Sequence, residues 1–334
     1  MAAVALLASC SNDDDLLEDV RGFKPTVTLN TTTAQATEGE EITFTLTVDR
    51  PLNKNMEFKL ELVDEESTAS FRDFTTSGEE TDISGGGGYG QGKIGYALVF
   101  PAYATTYSFT VTPNRDFQVE GPEVIKLLLR SAESAKGQVA EASRYITINV
   151  SDFTSGNIGM QLVWDGNTAD TFGTIHEGTY LSGGEEAALT EFDFDVYVFD
   201  GDFNQVDNNQ AATGDSPEEL ELLTADLADG EYTIVVDLYD AGPAPDQVFD
   251  LPVKLNVIKY GTWSQQIPLT FASDHGTSAP GGLGAGVQIA GTLTKVGSTY
   301  TLANDAGEVL AQGRQSSSKN TKIMNAVAKA RLHK

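Results

Sequence analysis

The sequence predicts an all-β protein built of tandem antiparallel β-sandwiches. Short segments in which apolar and polar residues alternate with period two recur along most of the chain, and Gly, Pro and Asn separate them. This spacing is typical of antiparallel sheets that bury one face. With 334 residues, of which 40% are hydrophobic, the chain has enough apolar material for two or three domains of ordinary size.

The first domain is expected over residues 25–152. In the segment 42–48, Ile42, Phe44, Leu46 and Val48 point one way, and the threonines between them point the other way. The same alternation predicts further strands at Phe58–Leu62, Tyr96–Phe100, Tyr107–Val111, Ile125–Leu129 and Ile146–Val150.

An acidic loop between two of these strands is the most distinctive feature of the domain. Asp116, Glu120 and Glu123 bracket a Gly-Pro turn. Such carboxylates either repel one another into solvent or converge on a hard cation that prefers oxygen ligands. Further acidic residues stand at the ends of predicted strands: Glu38, Asp73 and Asp152.

Residues 25–152 resemble a Calx-beta domain, an immunoglobulin-like β-sandwich module of sodium–calcium exchangers and many bacterial surface proteins. The resemblance follows the family's order of motifs, a V-x-E-x-x-G turn, a G-x-D-[YF] turn, a D-D-x-x-E-x-x-E loop and a closing V-T-I-x-D-D strand. The corresponding residues here are Glu38-Gly39, Asp73-Phe74, Asp116 with Glu120 and Glu123, and Ile146-Thr147-Ile148 leading to Asp152.

This resemblance implies calcium at one end of the sandwich. The implied ligands are Glu38, Asp73, Asp116, Glu120, Glu123 and Asp152. The chain departs from the family's pattern at Arg115, which replaces one of two paired aspartates, and at Ser151, which interrupts the closing aspartate run. These departures predict fewer ions than the several that the family binds.

A second β-sandwich region is expected over residues 153–313. Its strand candidates are Gly159–Trp164, Phe192–Asp200, Tyr232–Tyr239, Leu251–Ile258, Ile267–Phe271, Val287–Leu293 and Tyr300–Leu302. The part after residue 262 either completes this sandwich or forms a small third unit. The pairing of 193–200 with 229–237 is similar to a pattern of bacterial pre-peptidase C-terminal-type sandwich domains.

A second possible metal cluster lies in this region. Along 192–200 the apolar residues share one face, so Asp193 and Asp195 share the opposite face with Tyr197. Like charges on one strand face repel, which favours a cation held by Asp193, Asp195 and Asp200. A solvated acidic face is the alternative interpretation.

The amino-terminal segment resembles a bacterial lipoprotein signal peptide over residues 1–9. Leu7-Ala8-Ser9-Cys10 fits the lipobox, in which cleavage precedes the cysteine and the thiol of Cys10 carries the lipid. The acidic tether 10–24 is similar to the export tag of Bacteroidota surface lipoproteins. The resemblance implies a protein anchored by lipid to the outer membrane and displayed at the cell surface.

The charge balance and the missing motifs exclude several function classes. A formal net charge of −28 argues against nucleic acid and anionic membrane surfaces as partners. The histidines, His176, His275 and His333, have neither H-E-x-x-H nor zinc-ligand spacing, and no G-x-S-x-G elbow is present. The sequence therefore predicts no catalytic residues and no enzyme. The basic tail 314–334 points to no function.

The function predicted from these observations is that of a lipid-anchored cell-surface protein. Its calcium-binding first domain would serve as a structural or adhesive arm for a glycan or surface-protein partner. A glycan-binding accessory lipoprotein of a polysaccharide-uptake system, with Trp164, Tyr197 and Trp263 exposed, is one alternative. An accessory-domain protein of a secreted hydrolase is the other.

Overall fold

The computed structural model describes residues 24–81, 94–132, 136–169, 174–208, 210–275 and 286–314. The predicted signal peptide, Cys10, the acidic tether apart from Lys24 and the basic tail beyond Arg314 lie outside these residues. The predicted all-β fold class is confirmed. None of the helices in the described ranges has the length and apolar character needed to cross a bilayer.

The first sandwich consists of a five-stranded sheet packed on a six-stranded sheet. Its strands are β1 Thr26–Leu29, β2 Thr33–Thr37, β3 Ile42–Val48, β4 Met56–Leu62, β5 Phe74–Thr76, β6 Glu79–Glu80, β7 Tyr96–Phe100, β8 Thr106–Pro113, β9 Glu123–Ser131, β10 Gln138–Val139 and β11 Tyr145–Ser151. Short 3-10 helices span Asp64–Glu66 and Glu141–Ser143.

The strand order of the first sandwich is β10-β1-β3-β8-β5 in one sheet and β2-β11-β9-β4-β7-β6 in the other. Neighbouring strands are antiparallel except that β10 pairs with β1, and β2 with β11, in parallel. The period-two pattern explains the core, since Phe44 and Leu46 of β3 are fully buried and face Phe58 and Leu127 of the opposite sheet. The threonines between them remain at the surface.

The second sandwich follows directly. Its strands are β12 Ile158–Val163, β13 Thr168–Ala169, β14 Ile175–His176, β15 Thr179–Ser182, β16 Glu185–Ala188, β17 Asp193–Phe199, β18 Glu218–Leu222, β19 Gly230–Asp240, β20 Asp250–Leu251, β21 Lys254–Lys259, β22 Trp263–Pro268, β23 Phe271–Ala272, β24 Val287–Val296, β25 Thr299–Ala303 and β26 Val309–Arg314. A 3-10 helix spans Leu189–Glu191.

Two large sheets enclose one core in this second sandwich. Their strand orders are β18-β12-β21-β22 and β17-β19-β24-β25-β26, and three two-stranded ribbons join β13 to β14, β15 to β16 and β20 to β23. The described strands after position 262 belong to these two sheets, apart from β23, and Ile267 and Leu293 pack in the same core as Met160 and Phe194. This part of the chain therefore completes the second sandwich.

Two predicted strands of the second sandwich are wrong, because each is divided in the structure. Ile267–Phe271 is divided between β22 and β23. The expected continuous strand Leu251–Ile258 is divided into β20 and β21. Pro252 stands at the break and lacks a backbone N–H, so it cannot donate a hydrogen bond to a sheet neighbour.

Candidate metal centres

The six carboxylates predicted as calcium ligands stand close to strand ends of the first sandwich. Loops after β2, β8 and β11 and before β5 and β9 carry five of them, and the sixth, Glu123, is the first residue of β9. They are Glu38, Asp73, Asp116, Glu120, Glu123 and Asp152. Hereafter this set is the first acidic cluster.

Backbone hydrogen bonds bring these loops together at one end of the sandwich. Glu38 donates its N–H to the carbonyl oxygen of Ser151 at 3.0 Å, and Gly39 donates to Pro113 at 2.8 Å. Asn114 donates to the carbonyl oxygen of Asp73 at 2.7 Å. Gly39 has a φ of +79°, a left-handed conformation that glycine adopts without the steric cost of a Cβ. The turn after β2 therefore depends on this glycine.

Three members of the first acidic cluster converge most closely. Carboxylate oxygens of Glu38, Asp116 and Glu120 all lie within 4.8 Å of one another. Glu38 is only 7% exposed, and its Oε2 accepts a hydrogen bond from the N–H of Phe153 at 2.9 Å. Asp116 is half-buried, whereas Glu120 is exposed. The group therefore runs from the protein interior to its surface.

Two of the remaining carboxylates, Asp73 and Asp152, accept hydrogen bonds from the loops around them. Asp152 accepts the N–H of Gly121 at 3.0 and 3.3 Å. Asp73 accepts the N–H of Ser70 at 2.5 Å and its hydroxyl at 2.8 Å. These donors hold the carboxylates in place while no Lys or Arg of the described residues forms an ion pair with them.

The accumulated negative charge shifts the protonation equilibria of the first acidic cluster. Burial raises the pKa of Glu38 to about 7, with the Phe153 N–H opposing this rise and Asp116 adding to it. Burial followed by the charges of Glu120 and Asp73 raises the pKa of Glu123 to about 7. The pKa values of Asp116 and Glu120 are also raised, chiefly by burial. The cluster therefore disfavours full ionisation unless a cation is present.

Arg115 does not neutralise this charge, although it precedes Asp116. Its guanidinium lies 4.0 Å from the ring centroids of both Phe153 and Tyr260. It also donates to Oε2 of Glu221 at 3.1 Å. Arg115 thus binds the second sandwich through cation–π contacts and an ion pair, and it leaves the cluster's carboxylates without its charge.

A polar cleft of about 440 Å³ lies beside this junction. Its wall in the second sandwich includes a ladder of side-chain amides in which Gln266 donates to Asn256, Asn256 to Gln161 and Gln161 to Glu219. Because these amides bond to one another, much of their hydrogen-bonding capacity is already used.

The aromatic residues expected to stack on a glycan are largely buried, so this prediction is wrong for both tryptophans. Trp164 is 1% exposed and donates its indole N–H to the carbonyl oxygen of Phe192 at 2.9 Å, and Trp263 is 9% exposed. Tyr197 is half-buried and donates to Asp195. Trp164 continues the inward row of Ile158, Met160 and Leu162, a period-two signal visible in the sequence.

The second sandwich holds a second group of carboxylates, formed by Asp193, Asp195 and Glu218, whose oxygens lie within 4.8 Å of one another. Hereafter this set is the second acidic cluster. The predicted member Asp200 is not in it, because five residues of extended strand separate Asp200 from Asp195 by about 16 Å. Asp200 instead accepts the backbone N–H of Asn204 at 2.8 Å.

Sequence reasoning missed Glu218, which replaces Asp200 in the second acidic cluster. A signal was nonetheless available, since Glu218 alternates with Leu220 and Leu222 and so occupies the inward face of β18. A glutamate at such a position requires a partner in the interior.

Both clusters offer oxygen donors alone. Zinc sites in proteins are built mostly from Cys and His, whereas calcium and magnesium take carboxylate and carbonyl oxygens. The donor sets therefore fit a hard divalent cation.

No family model and no curated protein matches the sequence. Solved structures similar to the chain include the apo form of the Calx CBD1 domain, at 14% identity and a TM-score of 0.29, covering 39% of this chain and 99% of that one. CBD12 from CALX1.2 matches at 13% identity and a TM-score of 0.28, covering 64% of this chain and 78% of that one. A chaperone–tip adhesin complex of CFA/I fimbriae matches at 10% identity and a TM-score of 0.23, covering 64% and 92%. At these TM-scores the likenesses decide nothing about this chain.

Proposed function

We propose that the first sandwich is a calcium-binding, Calx-beta-like module within a lipid-anchored surface protein, and that it serves as a structural or adhesive arm. The observation that carries this proposal is the convergence of Glu38, Asp116 and Glu120 within 4.8 Å, with Glu38 buried. Calcium accepts six to eight oxygen ligands in flexible geometry, which suits carboxylates held on several loops.

Bound calcium would stabilise both the loops and the junction to the second sandwich. Glu38 bonds the N–H of Phe153, the residue at which the chain leaves the first sandwich. The Phe153 ring in turn contacts Arg115 and Tyr260, with ring centroids of Phe153 and Tyr260 5.3 Å apart. Val119 of the acidic loop donates to Ser264 Oγ at 3.0 Å. Ordering this loop would therefore restrict the relative motion of the two sandwiches, as a rigid arm requires.

Calcium titration calorimetry on the full chain tests the proposal. We expect Asp116→Asn to lower the affinity of the first site by at least about a hundredfold, because even residues outside the coordination sphere of a metal contribute ten- to a hundredfold. Glu41→Gln is the matched control, since Glu41 is an exposed carboxylate in the turn that carries Glu38 but lies outside the closely packed group. Equal binding in both variants and the parent would contradict the proposal.

The lipid anchor and surface display rest on the lipobox at Leu7-Ala8-Ser9-Cys10. Metabolic labelling with a fatty-acid analogue is expected to mark the parent protein and not Cys10→Ala. Protease accessibility on intact cells is expected to show the protein at the surface. Equal labelling of the variant and the parent would contradict the assignment of Cys10 as the lipid-bearing residue.

A further inference from the structure

The second acidic cluster lies where β17, an edge strand of one sheet of the second sandwich, meets β18, an edge strand of the other sheet. Asp193 and Asp195 come from β17, and Glu218 comes from β18 of the facing sheet. The pairing of β17 with β19 shifts register between Asp193 and Phe194. The extra residue is Tyr239 of β19, so this bulge lies beside Asp193 on the neighbouring strand.

Glu218 provides the observation that points to a ligand. It is 1% exposed, and its Oε1 accepts three hydrogen bonds, from the N–H and hydroxyl of Thr213 at 2.8 and 2.7 Å and from the N–H of Gly214 at 2.9 Å. Its Oε2 is fully buried and has no hydrogen-bond partner. Oδ1 of Asp193, in the same cluster, is likewise buried without a partner. Buried carboxylate oxygens seldom lack partners because desolvation without compensation is costly.

Among the described residues, no cationic side chain forms an ion pair that would neutralise the second acidic cluster. The hydroxyl of Tyr197 donates to Oδ2 of Asp195 at 2.6 Å. Asp237 lies opposite Asp195 on the neighbouring strand, and its Oδ1 is also buried without a partner. The negative charge of this region is therefore left for a ligand to balance.

We propose that Asp193, Asp195 and Glu218 form a second site for a hard divalent cation, distinct from the first acidic cluster. Oε2 of Glu218 and Oδ1 of Asp193 are the oxygens available to it, and Oε1 of Glu218 remains bonded to Thr213 and Gly214 as the anchor of that ligand. Hard oxygen donors select calcium or magnesium over softer metals. A cation bridging β17 and β18 would tie together the two sheets of the second sandwich.

The competing explanation is a shared proton. Burial, followed by the charges of Asp193, Glu218 and Asp237 and opposed by the Tyr197 hydroxyl, raises the pKa of Asp195 to about 6. A protonated carboxyl would remove part of the repulsion without any metal. The two explanations differ in whether a cation binds near pH 7.

Terbium luminescence distinguishes them, because terbium substitutes for calcium and emits when a nearby tyrosine transfers its excitation energy. Tyr197 touches Asp195 and so provides this energy donor. The experiment uses the full chain carrying Asp116→Ala and Glu123→Ala, which silences the first acidic cluster. We expect saturable emission that millimolar calcium or magnesium displaces. Tyr197→Phe should lower the emission without removing the heat of calcium binding.

Two isosteric variants test the assignment of the ligands. Glu218→Gln keeps an oxygen for Thr213 and should weaken terbium binding at least about tenfold. Glu219→Gln is the matched control and should leave it unchanged, because Glu219 is exposed on the other face of β18. If Glu218→Gln fails to fold, Asp193→Asn carries the same expectation. Absent emission, emission unchanged by these ligand variants, or emission that neither calcium nor magnesium displaces would overturn the proposal.

Discussion

The two acidic clusters consist of the same residue types, Asp and Glu, but different elements of the fold carry them. The first gathers carboxylates on loops at the end of a sandwich, where backbone N–H groups such as those of Phe153 and Gly121 hold them. The second places carboxylates on β17 and β18, where Glu218 is buried and accepts hydrogen bonds from three donors. The geometry of the first cluster therefore depends on the conformation of several loops, whereas that of the second depends on strands of the sheets. The comparison leads us to expect that a cation would order the loops of the first cluster, whereas the carboxylates of the second cluster already lie on formed strands.

The largest expected effect on the stability of the calcium-free protein comes from Glu218, which is more strongly hydrogen-bonded than Glu120. Glu218→Ala removes the acceptor of three hydrogen bonds and should lower the free energy of unfolding by about 1–3 kcal/mol. Glu120→Ala removes an exposed carboxylate that its neighbours repel, so it should leave the stability unchanged or raise it. Urea unfolding in calcium-free buffer measures both. Equal destabilisation by the two substitutions would contradict the claim that the protein holds Glu218 more firmly than Glu120.

A pH effect on the calcium-free protein should come next in size. Burial raises the pKa values of Glu38 and Glu123 from 4.5 to about 7, so between these values the folded state binds protons more tightly than the unfolded chain. The stabilisation is fully present below pH 4.5 and is lost as pH rises through 7. The free energy of unfolding should therefore increase as pH falls from about 7.5 to 5.

The control for this pH effect is the double variant Glu38→Gln, Glu123→Gln. Its unfolding profile should be flatter over the same range, with a residual slope from the second acidic cluster, where burial raises the pKa of Asp195 to about 6. Parallel profiles for the variant and the parent would show that the first acidic cluster contributes nothing to the pH dependence.

Arg115→Ala should produce a smaller effect, confined to the junction. The substitution removes contacts with Phe153 and Tyr260 and the ion pair with Glu221. Cation–π contacts near the surface contribute about 0.5–1 kcal/mol. Small-angle scattering should show a wider range of domain orientations, while terbium emission at the second acidic cluster stays the same. An unchanged scattering profile would contradict the stated role of Arg115.

Local spacing predicts only the part of the first acidic cluster that lies in one stretch of chain, and its other members follow from the resemblance of the motifs around them. Neither signal indicates that Glu218 belongs to the second acidic cluster. Asp116 and Glu120 belong to one loop and Glu123 begins β9 directly after it, so local spacing alone indicates that these three are close. Glu218 joins Asp193 only through the packing of one sheet on another, which no local pattern specifies. Asp200 was grouped with Asp193 by nearness in sequence, and an extended strand separates such residues.

The strands themselves were largely predictable because one face of each is buried. The alternation in β3, β8 and β11 indicated which residues face the core, and burial follows it. The tryptophans were assigned to the surface by residue type, although the inward row of β12 already indicated that Trp164 is buried. Periodicity is thus the better guide to exposure than the chemistry of a side chain.

The smallest expected effect belongs to Asp200→Asn. Asp200 accepts hydrogen bonds from Asn204 and lies outside the second acidic cluster, so the substitution should change the stability by less than about 0.5 kcal/mol. Terbium affinity should match that of the parent. A loss of terbium binding as large as that expected for Glu218→Gln would show that Asp200 is a ligand of the second site.

The most direct test of the first calcium site is thermal unfolding of the full chain, in EDTA and then in calcium, with the variant Asp116→Ala, Glu123→Ala alongside. At a hundredfold excess of calcium over the dissociation constant, binding to the folded form alone contributes about 2.7 kcal/mol. We expect the calcium-dependent stabilisation of the parent to exceed that of the variant by about this amount. Equal calcium-dependent stabilisation of the two proteins, including none in either, would contradict the assignment of the first acidic cluster as a calcium site.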